Sequence, residues 1–110
     1  MKRIREADLA YLAGLFDGEG YIGYVKRRDR QKRKANHINL TLQVRLTNTN
    51  YPLLLWLQEV SGIGHITELR GIRYGYKPCY QWCCYGDNAR ELIKLLKPHL
   101  KVKAGQGFLI

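Results

Sequence analysis

Residues 12–20 read Leu12-Ala13-Gly14-Leu15-Phe16-Asp17-Gly18-Glu19-Gly20, an apolar, small-residue run that passes directly into two acids separated by glycine. No other stretch constrains the fold as tightly. Small residues on a helix face let two helices approach more closely than bulky ones do, so Leu12 to Phe16 read as a packing surface. Gly18 and Gly20 are expected to stop the helix and to open the backbone to a ligand. Glu19 then stands at the tip of a packed helix, where a fixed carboxylate is a candidate ligand for a hard cation such as Mg²⁺.

Apolar residues at Leu9, Leu12, Ala13 and Phe16 follow helical spacing, which predicts a helix over 7–17 with Asp8 as its N-cap. Residues 21–26 are aromatic and β-branched and predict a strand. From 39 to 47 the pattern alternates strictly. Leu40, Leu42, Val44 and Leu46 take one face, and Asn39, Thr41, Gln43 and Arg45 take the other, as in a half-buried strand. Thr49 or Asn50 opens a second helix, with Pro52 in its first turn. Strands over 65–70 and 78–85 follow, and a third helix over 87–97 starts at Asp87 or Asn88. The order is α-β-β-α-β-β-α without an internal repeat, one domain over residues 1–110.

Lys and Arg number 19 against 9 Asp and Glu, a formal charge of +10. Such an excess on a short chain points to a polyanion, most simply nucleic acid. No apolar stretch is long enough to span a bilayer, and no apolar leader opens the chain, so the expected setting is the cytoplasm or wherever the host DNA lies, not the exterior. Cys79, Cys83 and Cys84 form no Cys-x-x-Cys pair with a matching His pattern, and they read as reduced thiols rather than a zinc site.

A two-stranded ribbon can enter the major groove, where each base pair shows a distinct pattern of donors and acceptors. Asn39, Thr41, Gln43 and Arg45 offer both kinds, Gln suiting adenine and Arg guanine. Thr67, Arg70 and Gln81, with Arg73 and Lys77 in the connection between the last two strands, extend that polar face. Arg27, Arg28, Arg30, Lys32, Arg33 and Lys34 would hold phosphates without reading sequence.

The nonapeptide resembles the signature of the LAGLIDADG homing endonucleases. Leu12, Ala13, Gly14, Leu15, Asp17, Gly18 and Gly20 match outright, and Phe16 and Glu19 are conservative replacements. The element order is similar to that family's single domain, an α+β fold whose four-stranded antiparallel, saddle-shaped sheet carries its helices on one face. Lys101-Val102-Lys103 followed by Gln106 resembles the family's C-terminal Lys-x-Lys-x-x-Gln element, and by that match Lys103 is the candidate for the basic residue near the active site. The resemblance implies metal-dependent phosphodiester hydrolysis with Mg²⁺ or Mn²⁺, in which Glu19 and the Gly18 carbonyl hold the metal. It also implies a homodimer on double-stranded, roughly palindromic DNA, cut with a stagger, with Leu12, Ala13, Gly14, Phe16 and Asp17 at the dimer interface.

The chain departs from the family pattern where many members carry a Gln near the end of the second strand, since the matching position is Leu46. That role is absent or moved to Arg45 or Asn48. Asn50 stands where a basic residue is common. These departures keep an alternative open, a nucleic-acid binding relative that does not cleave, such as an RNA maturase or a DNA-binding regulator.

Overall fold

The computed structural model describes residues 1–28, 38–70 and 77–103, and side chains at 27, 28, 38 and 39 lie outside that description. The elements are α1 (Glu6–Glu19), β1 (Gly20–Arg28), β2 (Ile38–Asn48), α2 (Tyr51–Ser61), β3 (His65–Leu69), β4 (Cys79–Tyr85) and α3 (Gly86–Leu96), followed by a 3₁₀ turn at Lys97–His99. The four strands form one antiparallel sheet in the order β1-β2-β4-β3. The expected element order and sheet are therefore present.

The period-two pattern sets the two faces of the sheet. Ile22, Leu42, Val44, Leu46, Trp82 and Cys84 point toward the helices and join Leu9, Leu12, Ala13 and Phe16 of α1, Leu54 and Leu57 of α2, and Leu92, Ile93 and Leu96 of α3 in one core. Leu40 belongs to the same alternation but is 65% exposed, because it lies beyond the reach of the helices. Trp82 sits at the centre, fully buried, and its indole N–H donates to the Ile63 carbonyl at 3.1 Å. Gly64 has φ +87, and a Cβ there would lie 2.4 Å from the Trp82 indole nitrogen, so glycine is needed both for the turn and for the packing.

Several element ends differ from expectation for local reasons. α1 begins at Glu6 with Arg5 as N-cap, and Asp8 lies in the first turn, 3.5 Å from the Arg5 guanidinium. It also runs through Gly18 to Glu19 and ends only at Gly20, whose backbone is extended (φ −86, ψ 170) and pairs with Leu46. A Cβ on Gly20 would fall 2.4 Å from Phe16, so the chain turns from helix to strand through a space that only glycine fits. α2 is capped by Asn50, whose side chain accepts from the Leu53 N–H at 3.1 Å, and closes at Gly62 with φ +70. α3 starts one residue earlier than Asp87, with Tyr85 at the N-cap and no side-chain cap. No described helix is long and apolar enough to cross a membrane.

Candidate active site and nucleic-acid interface

The end of α1, the end of β2 and the segment after the 3₁₀ turn meet at one place. Glu19, the last helical residue, is exposed, and Asn48, the last residue of β2, donates its side-chain N–H to Glu19 Oε2 at 3.2 Å. The Asn48 side-chain oxygen accepts from the Asn50 N–H at 2.8 Å, which fixes which end of the amide faces the acid. Strand periodicity explains why the contact falls at 48. Leu46 points into the core and is fully buried, and two residues later the same side of the strand emerges past the core beside Glu19. Arg45, the other candidate for this role, lies on the opposite face.

Asp17 does something different from Glu19. Its Oδ2 accepts from the backbone N–H of Lys101 at 2.6 Å, and its Oδ1 accepts from those of Val102 at 3.2 Å and Lys103 at 2.8 Å. Partial burial pushes this carboxyl upward. The N–H donors of Lys101, Lys103 and Val102, joined by the Lys103 charge, outweigh it and hold the group below its usual value. Lys103 turns back and donates from Nζ to the Asp17 carbonyl at 2.9 Å, so the expected basic residue stands against the acidic end of α1. Among the described residues no cluster of three or more His, Cys, Asp or Glu side chains could hold a metal ion.

Leu12, Ala13 and Phe16 were expected at a dimer interface, and this assignment is corrected. All three are fully buried in the chain's own core against the sheet and α3, so they have no surface left for a second copy. Asp17 is likewise turned to residues 101–103. Gly14, also of the expected set, is exposed, and with Ala10 and Gly18 it forms an exposed line of one residue per helical turn, where a Cβ added at Gly14 or Gly18 would meet nothing within 4 Å. With Tyr11, Leu15 and Glu19 they line a shallow groove along the helix.

The sheet's other face is open and polar. Tyr21 and Gly23 of β1 pair with Arg45 and Gln43 of β2, which pair in turn with Cys83 and Tyr85 of β4; His65 and Thr67 of β3 lie opposite Cys83 and Gln81. Thr41, Gln43, Arg45, Thr67 and Gln81 therefore share this face as expected. Gln43 differs from expectation in being only 5% exposed. Arg70 is exposed and paired with Glu68 at 2.9 Å, and Lys77 is exposed. Arg30, Lys32, Arg33, Lys34 and Arg73, and the side chains of Arg27, Arg28 and Asn39, lie outside the described residues. Of the cysteines, Cys83 and Cys84 are buried and Cys79 is half-buried. Burial, then the neighbouring Cys83, pushes the Cys84 thiol up to about 12.

No curated protein matches the chain by sequence. Among solved structures, the homing endonuclease I-CvuI, bound to the I-CreI target with Mg and with its DNA not cleaved, superposes with a TM-score of 0.72 at 20% identity, over 92% of this chain and 61% of that one. The same endonuclease bound to its own target with Ca gives 0.74 at 20% identity, over 91% of this chain and 60% of that one. The archaeal intron-encoded homing endonuclease I-Vdi141I, complexed with DNA, gives 0.71 at 22% identity, over 92% and 62%. The chain thus spans about three fifths of the length of these structures, and the likeness is one of fold. The family model for LAGLIDADG endonucleases matches residues 12–103, from the start of the nonapeptide to the lysine that closes on Asp17. A match running from the packed helix through both strand pairs to that closing contact makes the chain a member of the LAGLIDADG endonuclease family.

Proposed function

We propose that the chain is a site-specific endonuclease for double-stranded DNA that acts as a homodimer, depends on Mg²⁺ or Mn²⁺ and leaves a staggered cut. The observation that carries this reading is Glu19 exposed at the end of α1 and steadied by Asn48, with Lys103 held to the same helix through the Asp17 carbonyl. The donors suit a hard divalent ion. Asp17 is committed to backbone N–H groups, so Glu19 is the acid available at this tip, and the carbonyl of Gly18 is a second oxygen. Mg²⁺ is commonly held by one or two carboxylates together with substrate phosphates, which matches a site where each chain contributes one acid. Bound there, such an ion lowers the pKa of water and stabilises charge on a phosphate ester. Asn48 orients the Glu19 carboxylate, and Lys103 supplies positive charge for the scissile phosphate.

One acidic tip serves one strand, and cutting both requires two tips related by a two-fold axis. The bare side of α1 at Ala10, Gly14 and Gly18 supports contact with a second copy there, because the backbones can approach closely. A two-fold dimer reads two related half-sites, hence a roughly palindromic target. Glu19→Gln is expected to abolish plasmid cleavage in Mg²⁺ while DNA binding in Ca²⁺ stays within a few-fold of the parent chain. Undiminished cutting by that variant sinks the assignment.

Two observations favour a second reading, a relative that binds without cutting. Leu46 is sealed in the core and Asn50 is spent on capping α2, so neither offers the polar or basic group common at these positions in the family. Cleavage in Mg²⁺ against EDTA separates the readings, since a binder shifts DNA in both.

A further inference from the structure

The open face of the sheet holds a connected set of side chains around Gln43. Its Nε2 donates to the Tyr85 hydroxyl at 3.0 Å and to Cys83 Sγ at 3.1 Å. Its Oε1 accepts from Arg45 Nη1 at a longer 3.4 Å. Both amide hydrogens and the amide oxygen are therefore engaged, and the side chain is 5% exposed. A glutamine reads adenine by presenting its oxygen and its nitrogen together, and both amide hydrogens of Gln43 are already spent.

Arg45 stands beside it in a prepared seat. Its guanidinium carbon lies over the Tyr21 ring, 4.3 Å from its centre, a cation–π contact that anchors the group there. The ring takes that position because its neighbour two residues on is Gly23. A Cβ at Gly23 would fall 2.7 Å from the Tyr21 hydroxyl, so the ring reaches over that bare backbone. Tyr21 and Gly23 are the direct cross-strand partners of Arg45 and Gln43. One contact to Gln43 leaves most of the five donors of the arginine fork unspent.

The geometry points to Arg45 as the residue that reads a guanine in each half-site, with Gln43, Tyr21 and Gly23 as the positioning set that aims it. This rests on the duplex-binding reading above. A guanidinium fork anchored over a ring matches the two acceptors, O6 and N7, that guanine alone presents side by side in the major groove. Fixing the fork in advance removes rotamer freedom that would otherwise be lost on binding.

The test compares the parent chain with Arg45→Ala, Gln43→Met and Gly23→Ala on the duplex that the parent selects from a random library, and on every single-pair substitution of it. Arg45→Ala should lose roughly tenfold discrimination at one G·C pair per half-site and keep its other preferences. Gln43→Met and Gly23→Ala should each weaken discrimination by a few-fold at that same pair. Gly23→Ala touches only the movable end of Tyr21, so it keeps the test open if Gln43→Met folds poorly. Relaxation of a separate A·T pair by Gln43→Met, with the G·C preference intact, would make Gln43 a reader and overturn the proposal. Uniform weakening by Arg45→Ala across all duplexes would reduce Arg45 to a phosphate contact and overturn it too, while leaving the DNA-binding reading in place. A parent chain that binds no duplex removes both.

Discussion

The two acids of the nonapeptide are two residues apart and have separate duties. Asp17 ties residues 101–103 to α1 through three backbone N–H groups, and Glu19 faces outward beside Asn48. Asp17→Ala therefore removes an acceptor from three donors and releases the segment that carries Lys103. After allowance for solvent at this partly exposed site, the expected loss is about 1 kcal/mol of stability, read as an earlier urea midpoint. Cleavage should fall far more than stability, because Lys103 then keeps only its Nζ contact to the carbonyl of residue 17. An Asp17→Ala chain that cuts normally would show that the tie does not position the lysine. The sequence singles out Glu19 as the ligand but does not show what Asp17 holds, since its partners lie 84–86 residues away. Asn48 was within reach of the strand pattern, as it continues the Leu42-Val44-Leu46 side by one step. Gln43 was not, because alternation tells which face a residue takes and is silent on what folds over it.

At the scale of elements, periodicity carried most of the fold. The run Leu9, Leu12, Ala13, Phe16 marks the buried side of α1, and the strict alternation of β2 places Leu42, Val44 and Leu46 in the core. Of the residues expected at an interface between copies, Leu12, Ala13 and Phe16 lie on that buried side and Gly14 on the exposed one. Apolar residues at helical spacing report burial, and only the tertiary packing decides whether the burying partner is the chain itself or another copy. Ala10, Gly14 and Gly18 remained bare because small side chains bury little area and leave a weak hydrophobic signal. Gly14→Leu tests the distinction. Nothing lies within 4 Å of the added Cβ, and leucine is the better helix former by roughly half a kcal/mol or more, so the single chain should fold at least as stably. Close approach of two α1 helices would be blocked. Light scattering behind size exclusion should then find a folded monomer where the parent is a dimer, and an unchanged dimer would place the contact elsewhere.

Across the whole molecule the charge is divided by task. The chain carries +10, yet among the described residues the open face between β1 and β3 is mostly uncharged, with Arg45 as a cation at its centre. Lys26, Arg27 and Arg28 stand at the far end of the β1–β2 ribbon from Glu19, since the register runs from Gly20–Leu46 beside the acid to Arg28–Ile38. Phosphate attraction and base reading should accordingly separate in experiment. Counterion release makes log K fall with log salt by about 0.9 per phosphate neutralised, and neutralising 6–10 phosphates costs on the order of a thousandfold or more in affinity between 50 and 200 mM. The parent chain should show a slope of that steepness. Replacing Arg33 and Lys34 by Gln should make the slope shallower by about one for each phosphate left without its cation, and should weaken all duplexes alike. Arg45→Ala should leave the slope close to the parent value while erasing a base preference. If the Arg33 and Lys34 variant alters sequence preference and keeps the slope, those residues read bases and the division of charge is the reverse of the one proposed.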